Sequence, residues 1–320
     1  MRRHVSGVTL VETLVVMVII GLLLSLLLVA VQAARESARR TTCLNNLHQL
    51  GLAIQSHEAS QGFLPSLYNG SFLAQPRNGL DEFHFHSWRT AILSELEQTA
   101  MLAALDLTIP ATDPRNQPAI NSEIAAFVCP STSNTNPIVP DIMGFNDGKP
   151  ATLKIGTAAR SDYEVVAGVQ GSPQISTSAD LSVIRFGAWG EPTYDIANGK
   201  AIRYRKARFR DVSDGLSQTM LIGERAGRPD YFTRGEEEPY PPPDPNGGMD
   251  NHQAAWAIST HIWWLVMAPK QEINETNRSG VYGFHAGGAQ ISLADGSAKF
   301  MSDDTEASVL SALATRSEGD

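Results

Sequence analysis

The chain has 320 residues, of which 42% are hydrophobic and 18% charged, and its formal net charge is −9. That size supports one large core or two modest ones. The acidic balance excludes a nucleic-acid partner, which would call for a basic face, and suits a solvated exterior or one that meets cations.

Near the N-terminus, Leu14 through Val31 form 18 consecutive residues without a charge. As a helix they span about 27 Å, close to a hydrocarbon layer of about 30 Å. No other stretch approaches this, so one membrane segment is expected. Three readings compete for it: a cleaved signal peptide ending near Val31-Gln32-Ala33, a plain signal anchor, and a processed leader preceding Val8. Charge bias does not choose among them, because Arg2 and Arg3 face Arg35, Arg39 and Arg40, offset by Glu36. Glu12 does. A carboxylate in an apolar segment costs about 2.5–3.5 kcal/mol on insertion scales, and a signal peptide gains nothing from it. Its local role would be that of an acid favoured by the dipole of the first helical turn.

Gly7-Val8-Thr9-Leu10-Val11-Glu12 resembles the type IV prepilin processing motif: glycine, a hydrophobic residue, Thr-Leu-x-Glu, then an unbroken apolar helix. The resemblance implies that a prepilin peptidase cuts after Gly7 and N-methylates Val8, which stands where Phe is usual. It also implies that Glu12 pairs with the α-ammonium of Val8 on a neighbouring subunit and sets the axial register of a filament. Related proteins commonly carry proline where this chain has Val29, so a straighter helix is expected.

Beyond the membrane segment no proline interrupts Gln32 to Glu58. The spacing of Leu44, Leu47, Gly51 and Ile54 predicts a buried stripe on one long helix from about Thr9 to Glu58, ended by Gly62 and Pro65. Ser87 is a plausible N-cap for a second helix running through Trp88, Ile92, Leu96 and Ala100 to Leu105. After Ile124, short apolar runs alternate with turn residues. Expected strands are Tyr163–Val169, Ser182–Phe186, Arg205–Phe209, Met220–Glu224, Ala255–Ser259, His261–Val266, Val281–Phe284, Gln290–Ala294 and Ala298–Met301. Glu236 to Asp250, rich in proline, reads as an exposed loop. Asp295-Gly296 between alternating runs predicts a hairpin, and Asp303 with Glu306 a capping box for a last helix.

The two cysteines, Cys43 and Cys129, lie 86 positions apart. Outside the cytoplasm a disulfide between them is permitted, the alternative being two buried thiols.

Several blocks match a large prepilin-type bacterial family with a domain of unknown function. They run from Val31-Gln32-Ala33-Ala34-Arg35-Glu36 and Cys43-Leu44-Asn45-Asn46-Leu47 through Ser87-Trp88-Arg89 and Phe127-Val128-Cys129-Pro130-Ser131. Arg210-Asp211-Val212-Ser213-Asp214-Gly215 and Gly223-Glu224-Arg225 follow, then Gly283-Phe284-His285-Ala286-Gly287-Gly288 and Leu293-Ala294-Asp295-Gly296-Ser297. The resemblance implies location and processing rather than chemistry. His285 before Asp295-Gly296 is that family's C-terminal signature. It reads as a histidine tying a loop to the hairpin, with a catalytic or metal pair as the other possibility.

Asp211, Ser213 and Asp214, with Ser217 and Thr219, offer oxygen ligands for a loose Ca²⁺ loop, but the offsets are not those of an EF-hand, and an Asx-type turn explains them equally. His84 and His86 flank Phe85 as a two-ligand metal pair without a third partner. The five tryptophans, including Trp263-Trp264, fit a β core or a sugar-stacking platform. No nucleophile elbow, phosphate loop or HExxH motif is present.

The expected fold is α+β: leader 1–7, transmembrane segment 8–31, helix continuation 32–58, and a mainly antiparallel globular domain 59–320 with a C-terminal hairpin and helix over about 281–316. The expected protein is not an enzyme and needs no cofactor. It is a single-pass inner-membrane subunit, N-terminus cytoplasmic and domain periplasmic or extracellular, and its partners are prepilin peptidase and other pilin-like subunits in a pilus-like or type II secretion-like assembly. The rival reading is a membrane-anchored binding protein for glycans or other ligands, exported by the same route.

Overall fold

The computed structural model describes residues 9–69, 85–133, 136–146, 149–170, 184–190, 192–195, 201–204, 206–238, 254–259, 265–267 and 270–317. Gly7, Val8, His84, Trp263, Trp264 and most of the loop after Glu238 lie outside these residues.

Helix α1, Leu10–Gln61, runs unbroken for 52 residues, about 78 Å at 1.5 Å per residue. The Thr9 hydroxyl accepts from the Glu12 N–H at 3.3 Å while the Glu12 carboxylate accepts from the Thr9 N–H at 2.8 Å. This reciprocal pair is a capping box, and Thr-x-x-Glu is its signature. Gly62 ends the helix at φ 77°, a left-handed conformation that glycine adopts without a Cβ penalty.

The two halves of α1 differ. From Leu10 (81% exposed) to Val31 (40%) the large apolar side chains are uncovered. Farther along, Cys43, Asn46, Leu47, Leu50, Gly51, Ala53 and Ile54 are buried against the domain. Leu44, expected on that stripe, is only half-buried, because the contact face is centred on Leu47 and Leu50.

The central sheet has the order Leu265–Met267, Tyr163–Gln170, Met220–Glu224, Gly288–Leu293, Ala298–Ser302, and Ile184–Phe186 also pairs with Tyr163–Gln170. Every pairing is antiparallel except that of Leu265–Met267 with Tyr163–Gln170. Alternation sends successive side chains to opposite faces. Tyr163, Val165 and Ala167 join the core that holds Cys43, Leu47 and Leu50 of α1. Val166, Ala289, Ile291 and Leu293 turn the other way, onto Leu310 and Ala314. Those two residues belong to the last helix, Ala307–Ala314, so the sheet is covered on both faces and the fold is α+β.

Several expected elements take a different form. The second helix stops after four residues, Trp88–Ala91, with Ser87 capping the Arg89 N–H as expected. After it the chain turns through Glu97 at φ 60° before Thr99–Ala103. Of the expected strand Arg205–Phe209, Arg205 lies outside the described residues and residues 206–208 form no strand; Phe209–Asp211 is a 3-10 turn, and a strand lies earlier, at Ala201–Tyr204. Val281–Phe284 holds only a single bridge, Tyr282 to Arg225, because Val281 and Gly283 bond to Asn274 instead. Glu236–Glu238, expected in a loop, pairs with Tyr231–Thr233. The expected Asp303–Glu306 capping box is absent. Glu306 is the N-cap without a side-chain capping bond, its carboxylate accepting from Ser308 Oγ at 3.3 Å, and Asp303 accepts from Asn274 Nδ2 at 2.8 Å.

Candidate functional site

The buried half of α1 is fastened to the sheet at several points around one junction. Cys43 and Cys129 form a disulfide with Cα atoms 5.2 Å apart, which closes a long loop and contributes roughly 4–5 kcal/mol on the chain-entropy model. The loop carrying Cys129 is held by buried Asp162, whose carboxylate accepts from the Cys129 N–H at 2.9 Å, Thr132 Oγ1 at 3.0 Å and the Gly227 N–H at 3.2 Å. Burial raises the Asp162 pKa, and Arg160 and these donors offset only part of the rise. Asn46 Nδ2 donates to Val128 O at 3.1 Å, and Gln290 Nε2 to Arg40 O at 2.8 Å.

At the centre lies His285. Its Nδ1 is 2.9 Å from Glu36 Oε1 on α1, and its Nε2 is 3.4 Å from Glu224 Oε1 on the sheet and 3.5 Å from Cys129 Sγ. The His285 and Glu224 side chains are fully buried. Burial alone would lower the imidazole pKa, but the two carboxylates outweigh it and the shift is upward. Burial raises the Glu224 carboxyl, with His285 and the Gln290 N–H offsetting part of that rise. Against a burial effect of opposite sign, His285, Arg39 and Ser131 lower the Glu36 pKa.

Glu36 and Glu224 were legible in the sequence only as members of their blocks; nothing in the spacing joins residues so far apart to His285. The expected tie from His285 to the hairpin is not what forms. His285 and Asp295 stand beyond opposite ends of the strand Gly288–Leu293, and Asp295 caps its own turn, accepting from Ser297 N at 2.9 Å and Ser297 Oγ at 2.6 Å. Gly296 O instead meets His48 Nδ1 on α1 at 2.7 Å. In the suspected Ca²⁺ loop, the N–H and hydroxyl of Ser213 donate to Arg316 O, as does the Asp214 N–H, so this segment secures the chain beyond the last helix; Asp211 N–H bonds back to Arg208 O. His86 is buried with Nε2 2.8 Å from Ile109 O. Trp88, Trp189 and Trp256 are buried in the core, Trp88 against Trp189 and Trp256 stacked on Phe127.

Beside this junction, where α1 leaves the domain, lies a cleft of about 740 Å³. Gln32, Glu36 and Arg39 form its helical wall, and Tyr282, Phe284 and His285 line it opposite.

A bare apolar half-helix, capped at Thr-Leu-Val-Glu and clamped through its other half to a sheet domain, defines a prepilin-type chain whose helix suits a membrane anchor. Residues 2–28 match the prokaryotic N-terminal methylation motif. Residues 32–308 match a family described as a protein of unknown function, DUF1559, and the chain belongs to that family. No curated protein and no solved structure matches the chain.

Proposed function

We propose that the chain is a pilin-like structural subunit. Prepilin peptidase cuts after Gly7 and methylates Val8. The exposed half of α1 then crosses the inner membrane once, with the leader cytoplasmic and the domain on the far side, and packs with the same segment of other subunits in a pilus-like or type II secretion-like assembly.

One observation supports this reading most. The uncovered half of α1 carries a carboxylate at its tip and continues without a break into a half that is locked to the domain. A tether alone needs neither the acid nor the rigid joint. Within an assembly Glu12 would exchange its local cap for the Val8 ammonium of a neighbour, so that two charges enter the apolar bundle as a pair.

Glu12→Ala should leave cleavage and domain stability unchanged. It should lower recovery of the chain in sedimentable or cross-linked assemblies at least tenfold, because it leaves the neighbour's ammonium unpaired. Intact mass of the membrane-extracted protein and cross-linking read the two effects separately. Normal assembly by the cleaved variant would overturn the proposal.

A further inference from the structure

We propose that Cys43, Cys129, His285 and Glu224 form a tetrahedral Zn²⁺ site when the two cysteines are thiols. One ligating atom from each lies within 4.8 Å of all the others, and all four residues are buried; among the described residues no other group of His, Cys, Asp and Glu converges this way. The separations of His285 Nε2 from Cys129 Sγ, 3.5 Å, and from Glu224 Oε1, 3.4 Å, match the ~3.3–3.8 Å edges that Zn bonds of 2.0–2.3 Å produce.

The surroundings are those of a metal-binding histidine. Glu36 engages Nδ1 at 2.9 Å, which leaves Nε2 as the ring nitrogen facing the sulfur; a carboxylate on the remote nitrogen is what orients zinc-bound imidazoles. The second oxygen of Glu224 accepts from the Gln290 N–H at 3.0 Å. Four protein ligands and full enclosure describe a structural site with no open position for a substrate.

Metal and disulfide exclude one another, because the joined sulfurs offer no thiolate. A dithiol reductant passes two electrons to the Cys43–Cys129 bond and leaves as its own disulfide, and the two cysteines become thiols. Zn²⁺ then forms two Zn–S bonds, the two thiol protons and any proton on Nε2 leave to solvent, and Nε2 and the Glu224 carboxylate complete the four. The junction between α1 and the sheet is thereby cross-linked in either redox state.

The test uses the full-length chain in detergent, reduced with a dithiol under nitrogen, freed of reductant, and titrated with Zn²⁺ against a chromophoric chelator and with Co²⁺ by absorption. The reduced chain should bind one equivalent, with a sulfur-to-cobalt charge-transfer band and the visible bands of a tetrahedral ion, and the oxidised chain none. Glu36→Gln should weaken binding about tenfold, and His285→Gln or Glu224→Gln by more. The proposal falls if the reduced chain takes up no metal, if the oxidised chain binds equally well, or if Cys43→Ser and His285→Gln leave the cobalt spectrum unchanged. Should reduction loosen the fold, Zn²⁺ must restore the circular dichroism and melting transition; failure to do so overturns it equally.

Discussion

His285 shows how one side chain draws meaning from partners remote in sequence. Its imidazole lies between Glu36 and Glu224, and the Glu224 side chain has no access to water. Removing one member of such a buried pair leaves the other uncompensated, at a cost of roughly 3–5 kcal/mol. His285→Ala in the disulfide-bonded chain should therefore lower unfolding stability by about 3 kcal/mol in urea titrations, and His285→Gln, which keeps a polar partner, by less. His86 should make stability sensitive to acid. Burial lowers its pKa from 6.5, outweighing the opposing effects of the Ile109 and Asp106 carbonyls and the Asp106 charge, and its buried Nδ1 has no hydrogen-bond partner among the described residues. A depressed histidine contributes stability that is present above the unfolded value and lost as pH falls through about 6.5 toward the folded value. The stability difference between the parent chain and His86→Gln should therefore shift against the parent between pH 7.5 and 5.5, as read by parallel denaturation curves. An unchanged difference across that range would contradict it.

Among the elements, α1 makes two kinds of contact. Its apolar half offers a bare surface, whereas its second half meets the sheet closely enough to restrict residue size. A Cβ at Gly51 would come within 2.8 Å of Ser292 Oγ and 3.1 Å of Gly296 Cα, so the helix lies almost on the hairpin turn. Gly51→Leu should push them apart and lower stability by about 1–3 kcal/mol, the usual range for overpacking. It should also expose the junction, which hydrogen exchange on the strand Gly288–Leu293 reads directly. The hairpin itself was plain from Asp295-Gly296 between alternating runs, since a tight turn is a local property. The failed strand at Val281–Phe284 was not local in origin. Its apolar residues resemble a strand, but the backbone groups of Val281 and Gly283 are taken by Asn274.

At the scale of the molecule, one helix carries both the bare apolar half and the half whose residues Cys43 to Ile54 are buried against the sheet domain. Cys43, Leu47, Leu50 and Ile54 of α1 are part of the core on one face of the sheet. Residues 32–320 should yield a soluble protein with the disulfide intact and a melting transition like that of the full chain, whereas residues 59–320 should fail to fold; calorimetry of the two fragments distinguishes them. The long apolar helix, the first-turn acid Glu12, the family blocks and the hairpin were legible in the sequence alone, because each rests on neighbours a few residues apart or on a long run of one polarity. The Cys43–Cys129 pairing was permitted by it but decided by the fold. Only the tertiary structure brought Glu36, Glu224 and His285 together, since burial and contact depend on which sheet face α1 covers, and no local pattern encodes that choice.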